Sequence, residues 1–414
     1  MAQETRLLGW ELEFYDRTND ISYKSEIIDL AISQDMNTCL VKCKIKFMVD
    51  STFMKYFSKP HNGTLFVMNK MVYTNEIEEM FSVDLESITN VGSIIVRESD
   101  TTQSQIIPIS INYYCKKGVS LLSRRVGKIY EKQKLEDIVN DLYKQTECDL
   151  PLKIEKFTNQ TQYPYIFVKE SSFIDSVRYL NQQYGFYDNE LLMFGETFTD
   201  GDINWVITNS AARRKERDDI NLYFIPYEQR GRKVEPISEK KYYTYIPINI
   251  KNVFSQLSKK IPQKLKFVSF DTDKFIKRQD ISVPDTLKEL DFLKSNVQFD
   301  KLLEIDEEMV IGSRFDIKDY SLKNVIQNMG LSTYNIPIQI PNPFLIEHFK
   351  IGTIINFHSQ IEENKNSADI TLMINAWLLR IKQGTGNSGG GSYNGSLIVR
   401  TSATSFLSEE ESSE

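Results

Sequence analysis

The sequence has little of the chemistry that most enzymes display. Only three histidines, His61, His348 and His358, occur in 414 residues. None stands in an H-E-x-x-H or G-x-S-x-G context, so neither a zinc hydrolase nor a nucleophile-elbow hydrolase is written here. His348 sits in FLIEHFK and His358 follows IINF. They read, with His61, as ordinary surface or strand-edge residues. Cysteine is scarce too: Cys39, Cys43, Cys115 and Cys148 form no C-x-x-C pair, and the chain is too long for a disulfide scaffold. Cys39 and Cys43 share one face of an expected strand and read as small buried hydrophobes. A zinc site there would need two further ligands, and His61 is the only histidine nearby.

Other absences narrow the field. No run approaches the ~18 apolar residues of a membrane-spanning helix, so no membrane anchor is expected. The opening MAQETRLLGWELEF lacks the basic and then apolar regions of a signal peptide. The expectation is a protein made and folded in a reducing cytoplasm. A basic excess is missing: the formal charge is −7, with both signs mixed along the chain. That argues against sequence-specific nucleic-acid binding or a main task of gripping phosphates. A mildly acidic wall would instead let DNA slide past. The one glycine-rich stretch, GTGNSGGGSYNG (384–395), has no G-x-x-x-x-G-K-[ST] pattern and no helix after it, which rejects a phosphate cradle. Acidic pairs such as Glu78 with Glu79, or Asp306 with Glu307, read as solvated faces, since two-carboxylate catalysis needs a set separation across a cleft. No catalytic, cofactor-binding or metal residue is assigned, no cofactor is implied, and the chain is not read as an enzyme.

What is present is material for cores and sheets. Hydrophobic residues make up 41% of the chain and aromatics 12%. Tyr, Phe, Ile and Thr favour half-buried pleated surfaces, and the length allows roughly two to four domains. LLGWELEF (7–14) alternates Trp10, Leu12 and Phe14 with Glu11 and Glu13. CLVKCKIKFMV (39–49) turns Val41, Cys43, Ile45, Phe47 and Val49 one way and Lys42, Lys44 and Lys46 the other. Further strand patterns lie at 63–73, 92–99 and 106–114, with turn-rich KPHNG (59–63) between. The first 118 residues predict a small β barrel or sandwich.

The period then changes. In KLEDIVNDLYKQ (134–145), Leu135, Ile138, Val139, Leu142 and Tyr143 form one helix face. YPYIFVKE (163–170) predicts a strand. In SSFIDSVRYLNQQYGFY (171–187), Ser171 or Ser172 caps a short helix whose stripe is Phe173, Val177, Leu180 and Tyr184, and Gly185 closes it. Phe186 and Tyr187 are expected to begin a strand continued by LLMF (191–194), with a hairpin turn over 197–205. So short a helix is unstable alone, and its stripe is expected to pack on the strand that follows.

The middle is mixed. AARRKERDD (211–219) reads as a solvated helix or loop face, KYYTYIPINI (241–250) as a strand, and 287–305 as one or two helices. Strands return in 330–357, separated by PNP and KIGT. ITLMINAWLLRIKQ (370–383) faces SLIVRTSATSFL (396–407) across the glycine-rich tip as a hairpin. SEEESSE (408–414) reads as an acidic flexible tail.

The stretch YPYIFVKESSFIDSVRYLNQQYGFYDNELLMF, the preceding SRRVGKIYEKQKLEDIVNDLYKQ (123–145) with Ile138 and Val139 facing inward, and the later FLIEHFKIGTIINF carry a resemblance. They resemble segments of the central baseplate hub proteins of contractile-tailed phages, which are related to the hub part of type VI secretion spike proteins. The family has Pro-Gly at the last of these steps, where Lys350 and Ile351 here precede Gly352.

The resemblance implies a β-rich α+β fold with two similar small β barrels of the torus type. The first would span 1–118, with an inserted α/β module at 119–200. A mixed region at 201–324 would include part of the second barrel, completed at 325–407 with the hairpin 384–395 and followed by the tail 408–414. It implies a ring-shaped homotrimer that adapts a sixfold tail tube to a threefold spike and lets DNA pass. Its partners would be a separate trimeric spike protein, the tail tube protein, a tape measure protein and surrounding baseplate wedge proteins. The place would be the baseplate of the virion. Two other readings are a different phage structural protein (a baseplate adaptor or host-binding module) and a tail-associated cell-wall hydrolase.

Overall fold

The computed structural model describes residues 8–36, 40–50, 56–57, 61–71, 76–87, 106–187, 191–196, 204–209, 212–213, 215, 219–225, 241–244, 264–269, 277–282, 306–310, 336–340, 342–358, 370–384 and 393–403. Strands come first: β1 (Leu8–Asp16), β2 (Ile21–Tyr23), β3 (Ile27–Asp35), β4 (Lys42–Asp50), β5 (Asn62–Met71), β6 (Ile77–Glu86) and β7 (Ile106–Cys115). Alternation builds them. Cys43, Ile45, Phe47 and Val49 of β4 are buried while Lys42, Lys44 and Lys46 face outward. Sequence pattern missed β3 because a bulge between Ile27 and Asp29 interrupts its alternation. The strand expected at 92–99 lies outside the described residues.

A compact run of short elements follows: α1 (Ser120–Ser123), β8 (Arg125–Val126), β9 (Ile129–Lys134), α2 (Leu135–Gln145), β10 (Leu152–Ile154), β11 (Gln162–Phe167), β12 (Ser171–Ser172), α3 (Phe173–Tyr184), β13 (Leu191–Glu196) and β14 (Asn204–Asn209). Then come β15 (Ile220–Phe224), β16 (Lys241–Thr244), β17 (Lys264–Ser269), β18 (Lys277–Ser282), β19 (Asp306–Val310), β20 (Ile336–Ile340), a 3-10 turn over Pro343–His348, β21 (Ile354–His358), β22 (Ile370–Gln383) and β23 (Tyr393–Ala403). The helices read at 287–305 and the tail at 408–414 lie outside the described residues. The hairpin is as expected, but Tyr393–Gly395 already belong to β23, opposite Gln383–Ile381.

The N-terminal and C-terminal strands share one 13-stranded sheet, ordered β16-β15-β21-β22-β3-β4-β7-β6-β5-β1-β2, with β23 on β22 and β20 on β23. The junction is the long strand β22. Ile370–Met373 pair with β21, Ala376–Lys382 pair with β3, and a bulge between Ile374 and Ala376 separates the two ladders. One hydrophobic cluster covers one side of the sheet, from Trp10 and Phe47 to Trp377 and Val399. Trp10 of β1 stacks on Phe344 at 4.2 Å and covers Gly395 of β23, so the two ends of the chain pack face to face.

A second core gathers Leu40 with residues from Leu121 to Ile207. The α2 stripe Leu135, Ile138, Val139 and Leu142 is fully buried there. In α3, Ser172 Oγ accepts from Asp175 N at 3.2 Å, and Gly185 ends the helix at φ 67°. Two expectations need correction. The α3 stripe packs on α1, α2 and the β8–β12 ladder rather than on the next strand. Phe186 and Tyr187 are buried but not in a strand. Phe186 stacks on Phe157 at 4.3 Å, so these side chains plug the core beneath the helix end.

Within the charge run 211–219, Lys215 is exposed as expected, but Arg213 departs from expectation. Arg213 is only 2% exposed. Its guanidinium lies 4.7 Å from the Phe194 ring, and its Nε donates to the Ile351 carbonyl at 3.4 Å. Arg213 therefore ties β13, whose Leu192 and Phe194 belong to the larger core, to the KIGT turn before β21, and its fork of donors with a flat, stackable face suits that position.

Candidate functional site

The histidines and cysteines do not assemble a reactive centre. His61 is 3% exposed and His358 6%, so the surface reading fails for both. His61 bonds through Nε2 to the Tyr113 hydroxyl, under Phe57. His358 stacks on Tyr223 at 4.5 Å and meets Asn221 Oδ1 at 3.1 Å. His348 is exposed, as expected. Burial pushes the Cys43 and Cys115 thiols up, which keeps both in the unreactive protonated form. Cys39 lies outside the described residues. Among the described residues no group of three His, Cys, Asp or Glu side chains is placed to hold a metal ion. Glu78 and Glu79 are exposed on β6, in keeping with a solvated face.

The surface with distinctive chemistry is the solvent side of the sheet where its two halves meet. Strand register aligns three rows across β22, β3, β4 and β7. The first is Lys382, Asp29, Lys46 and Ser110; the second Arg380, Ala31, Lys44 and Asn112; the third Leu378, Ser33, Lys42 and Tyr114. Because strand side chains alternate, the buried core residues on the other face force all of these toward solvent. The rows hold five cations, Lys42, Lys44, Lys46, Arg380 and Lys382, against the single carboxylate of Asp29. The mildly acidic surface expected from net charge is not what this face presents.

Asp29 takes a forked hydrogen bond from Arg380, Nη2 to Oδ2 at 2.7 Å and Nε to Oδ1 at 3.2 Å. That bond holds the guanidinium still more firmly protonated. Small side chains at Ala31 and Ser110 leave a hollow between the longer ones. It measures ≈ 320 Å³ and is lined by Asp29, Ala31, Lys44, Lys46, Ser110 and Arg380. Ser110 Oγ is shielded from solvent there and has no hydrogen-bond partner. The alternating lysines of β4 were legible in the sequence; their neighbours on β22 come from more than 330 residues away and were not.

A second surface is apolar. On the β9–β11 ribbon, Ile129 is 63% exposed, Tyr165 59% and Phe167 61%, with Ile129 directly opposite Phe167. Tyr130 and Ile166 point the other way into the smaller core. Large side chains left bare together on one face mark a contact surface.

With this geometry in place, the comparisons with known proteins fall into line. A family model described as "Bacteriophage PBS1 gene 109 protein" matches residues 44–232, from within β4 to just past β15. No curated protein matches the chain in sequence. Among solved structures, the 43 kDa tail protein of prophage MuSo2 from Shewanella oneidensis superposes with a TM-score of 0.52 at 11% identity. That match covers 94% of this chain and 98% of the other. A tail protein from Neisseria meningitidis MC58 gives 0.53 at 8% identity, covering 95% and 96%. The Francisella PdpA–VgrG complex, half-lidded, gives 0.51 at 12% identity over 96% of this chain but only 58% of that one. At such identities the likeness is one of fold. The fold defined is one shared with phage tail proteins. The likeness in fold to phage tail proteins and to the VgrG complex extends over nearly the whole chain, beyond the α2–α3 segment that first carried a resemblance.

Proposed function

We propose that this chain is the hub subunit of a phage tail baseplate. Three copies close into a ring that adapts a sixfold tail tube to a threefold spike and leaves a bore for DNA. In this reading the two β regions, 1–118 and 325–407, are the torus-type units, so three chains present six. The module at 119–200 forms the periphery, while the region 201–324 contributes β15 and β16 to the second unit beside β21. The role is mechanical rather than catalytic.

The observation that carries the reading is the junction at β22. Two β regions far apart in sequence continue into one sheet, with a shared core on one side and a polar face on the other. A ring wall needs such a two-sided surface: a dry side that bears load and a wet side toward the lumen. Closed cyclic assembly also requires complementary faces on each subunit, and the bare Ile129–Tyr165–Phe167 ribbon supplies an apolar one.

The partners that follow are a separate trimeric spike, the tail tube protein, a tape measure protein and the wedge proteins. The site of action is the virion baseplate, after assembly in the host cytoplasm. The test is the mass of the purified protein in solution together with images of single particles. Threefold rings with a central opening are expected. A monomer that persists when spike and tube proteins are added would refute the reading.

A further inference from the structure

We infer that the solvent face of β22, β3, β4 and β7 is an oxyanion surface for the phosphodiester backbone of duplex DNA. The hollow between Lys44, Lys46 and Arg380 would be its best-defined phosphate site. Three observations converge. A chain of net charge −7 sets five cations against three carboxylates on this face, Asp29 within the three rows and Asp35 and Asp50 at the ends of β3 and β4, so the rows themselves are cationic. The hollow of ≈ 320 Å³ is large enough for a phosphate group. Its wall holds the Ser110 hydroxyl, which has a donor to give and no partner. Asp29 does not cancel the site. It locks one edge of the Arg380 guanidinium and leaves the remaining donors of that planar group directed elsewhere.

The form of the surface favours a nucleic-acid backbone over an acidic protein segment. β22, β3 and β4 are interior to the sheet, and β7 is paired along its length with β4 and at Tyr114 and Cys115 with β6, so the backbone groups beneath the lysine rows of β3 and β4 cannot take up an added strand. Four strands spaced by about 4.8 Å span roughly 14 Å, a broad shallow contact suited to a duplex. No aromatic pocket of the kind that anchors a protein partner opens on the three rows, where Tyr114 is the only aromatic residue. The cations are mostly lysines, which act as point charges and read no sequence. Contact would therefore be weak, independent of base sequence and strongly dependent on salt, so that DNA is held against the wall yet slides along it. The inference rests on the hub reading only for the route by which DNA reaches this face.

The experiment measures binding of the full chain to a labelled random-sequence duplex by fluorescence anisotropy between 20 and about 200 mM salt. Poly-glutamate and inorganic phosphate serve as competitors, and particle mass is recorded on the same samples. The expected slope of log K against log salt is about −0.9 per phosphate contacted, hence near −4.5 if the four lysines and Arg380 each meet one phosphate. Lys44→Gln with Lys46→Gln should reduce that slope by about 2 and weaken binding by at least about tenfold at low salt. Ser110→Ala should leave the slope unchanged and raise the phosphate concentration needed for competition. Unaltered tryptophan fluorescence would show that each variant is folded. No binding at the lowest salt, unchanged binding by the double lysine variant, or tighter binding to poly-glutamate than to DNA would each overturn the inference. A monomer that still binds DNA through these lysines would refute the ring and leave the inference standing; a ring that ignores DNA would do the reverse.

Discussion

Replacing Gly352 by alanine tests the packing of Arg213 and β13 against the turn before β21. Gly352 has φ 78°, a left-handed conformation that costs a residue with a Cβ about 1 kcal/mol or more. The added carbon would also lie 2.8 Å from Arg213 Cγ and 3.0 Å from Leu192 Cδ1. Neither neighbour has much freedom: Leu192 is fully buried, and the Arg213 head is held over Phe194 and against the Ile351 carbonyl. Forcing one methyl into such packing costs roughly 1–3 kcal/mol. The backbone cannot relax cheaply, because Gly352 N donates to the Ile374 carbonyl at 2.8 Å, next to the bulge that divides the two ladders of β22. Together these give a destabilisation of about 2–4 kcal/mol. Urea unfolding followed by tryptophan fluorescence reads both cores, since Trp205 lies in the smaller one and Trp10 and Trp377 in the larger. In an Arg213→Ala background the steric part against Arg213 should vanish, while the Leu192 contact and the backbone part remain, so the two changes should be coupled by about 1 kcal/mol. A loss under about 0.5 kcal/mol, or strict additivity with Arg213→Ala, would refute the packing argument.

Other expectations follow from the same contacts. Leu180 is fully buried, so Leu180→Asp should cost more than about 3 kcal/mol and leave residues 119–207 open to protease; soluble, protease-resistant protein would show the stripe was misread. The Asp141 carboxyl is raised by partial burial but pulled below the ordinary aspartate range by hydrogen bonds from Lys128, Tyr130 and Gln145. Its stabilisation is therefore complete above the unfolded aspartate range and lost as pH falls through the lowered folded value. Solvent screening limits it to about 1 kcal/mol, and Asp141→Asn should flatten the acid-side loss of protease resistance; an unchanged profile would exclude this carboxylate. Tyr165→Lys with Phe167→Lys should leave the subunit folded, because both side chains face solvent, and shift particle mass toward the monomer. Intact rings would place the subunit contact elsewhere.

Much of the local structure was legible because it is fixed by neighbours in sequence. The α2 stripe, the Ser172 cap, the Gly185 stop and the alternation of β1, β4 and β7 need only period and capping chemistry. The misses have a common cause, since each depends on a partner distant along the chain. Arg213 reads as solvated amid a charge run, yet it is buried by Phe194 and by a turn 138 residues away. His61 and His358 look like edge residues until Tyr113 and Tyr223 cover them. The α3 stripe was correct, but amphipathicity says only that a face is buried and not what buries it.

The amino-acid sequence alone determined which residues face a core, where the short helices start and stop, and that no familiar catalytic motif is present. Tertiary structure decided that β3 and β22 are neighbours, and with that pairing it gathered Lys42, Lys44 and Lys46 beside Arg380 and Lys382 on one solvent face. The reason is range. Periodicity and capping act within a few residues, whereas a strand's partner is chosen by the register that buries both apolar faces at once, a condition met only when the whole sheet forms.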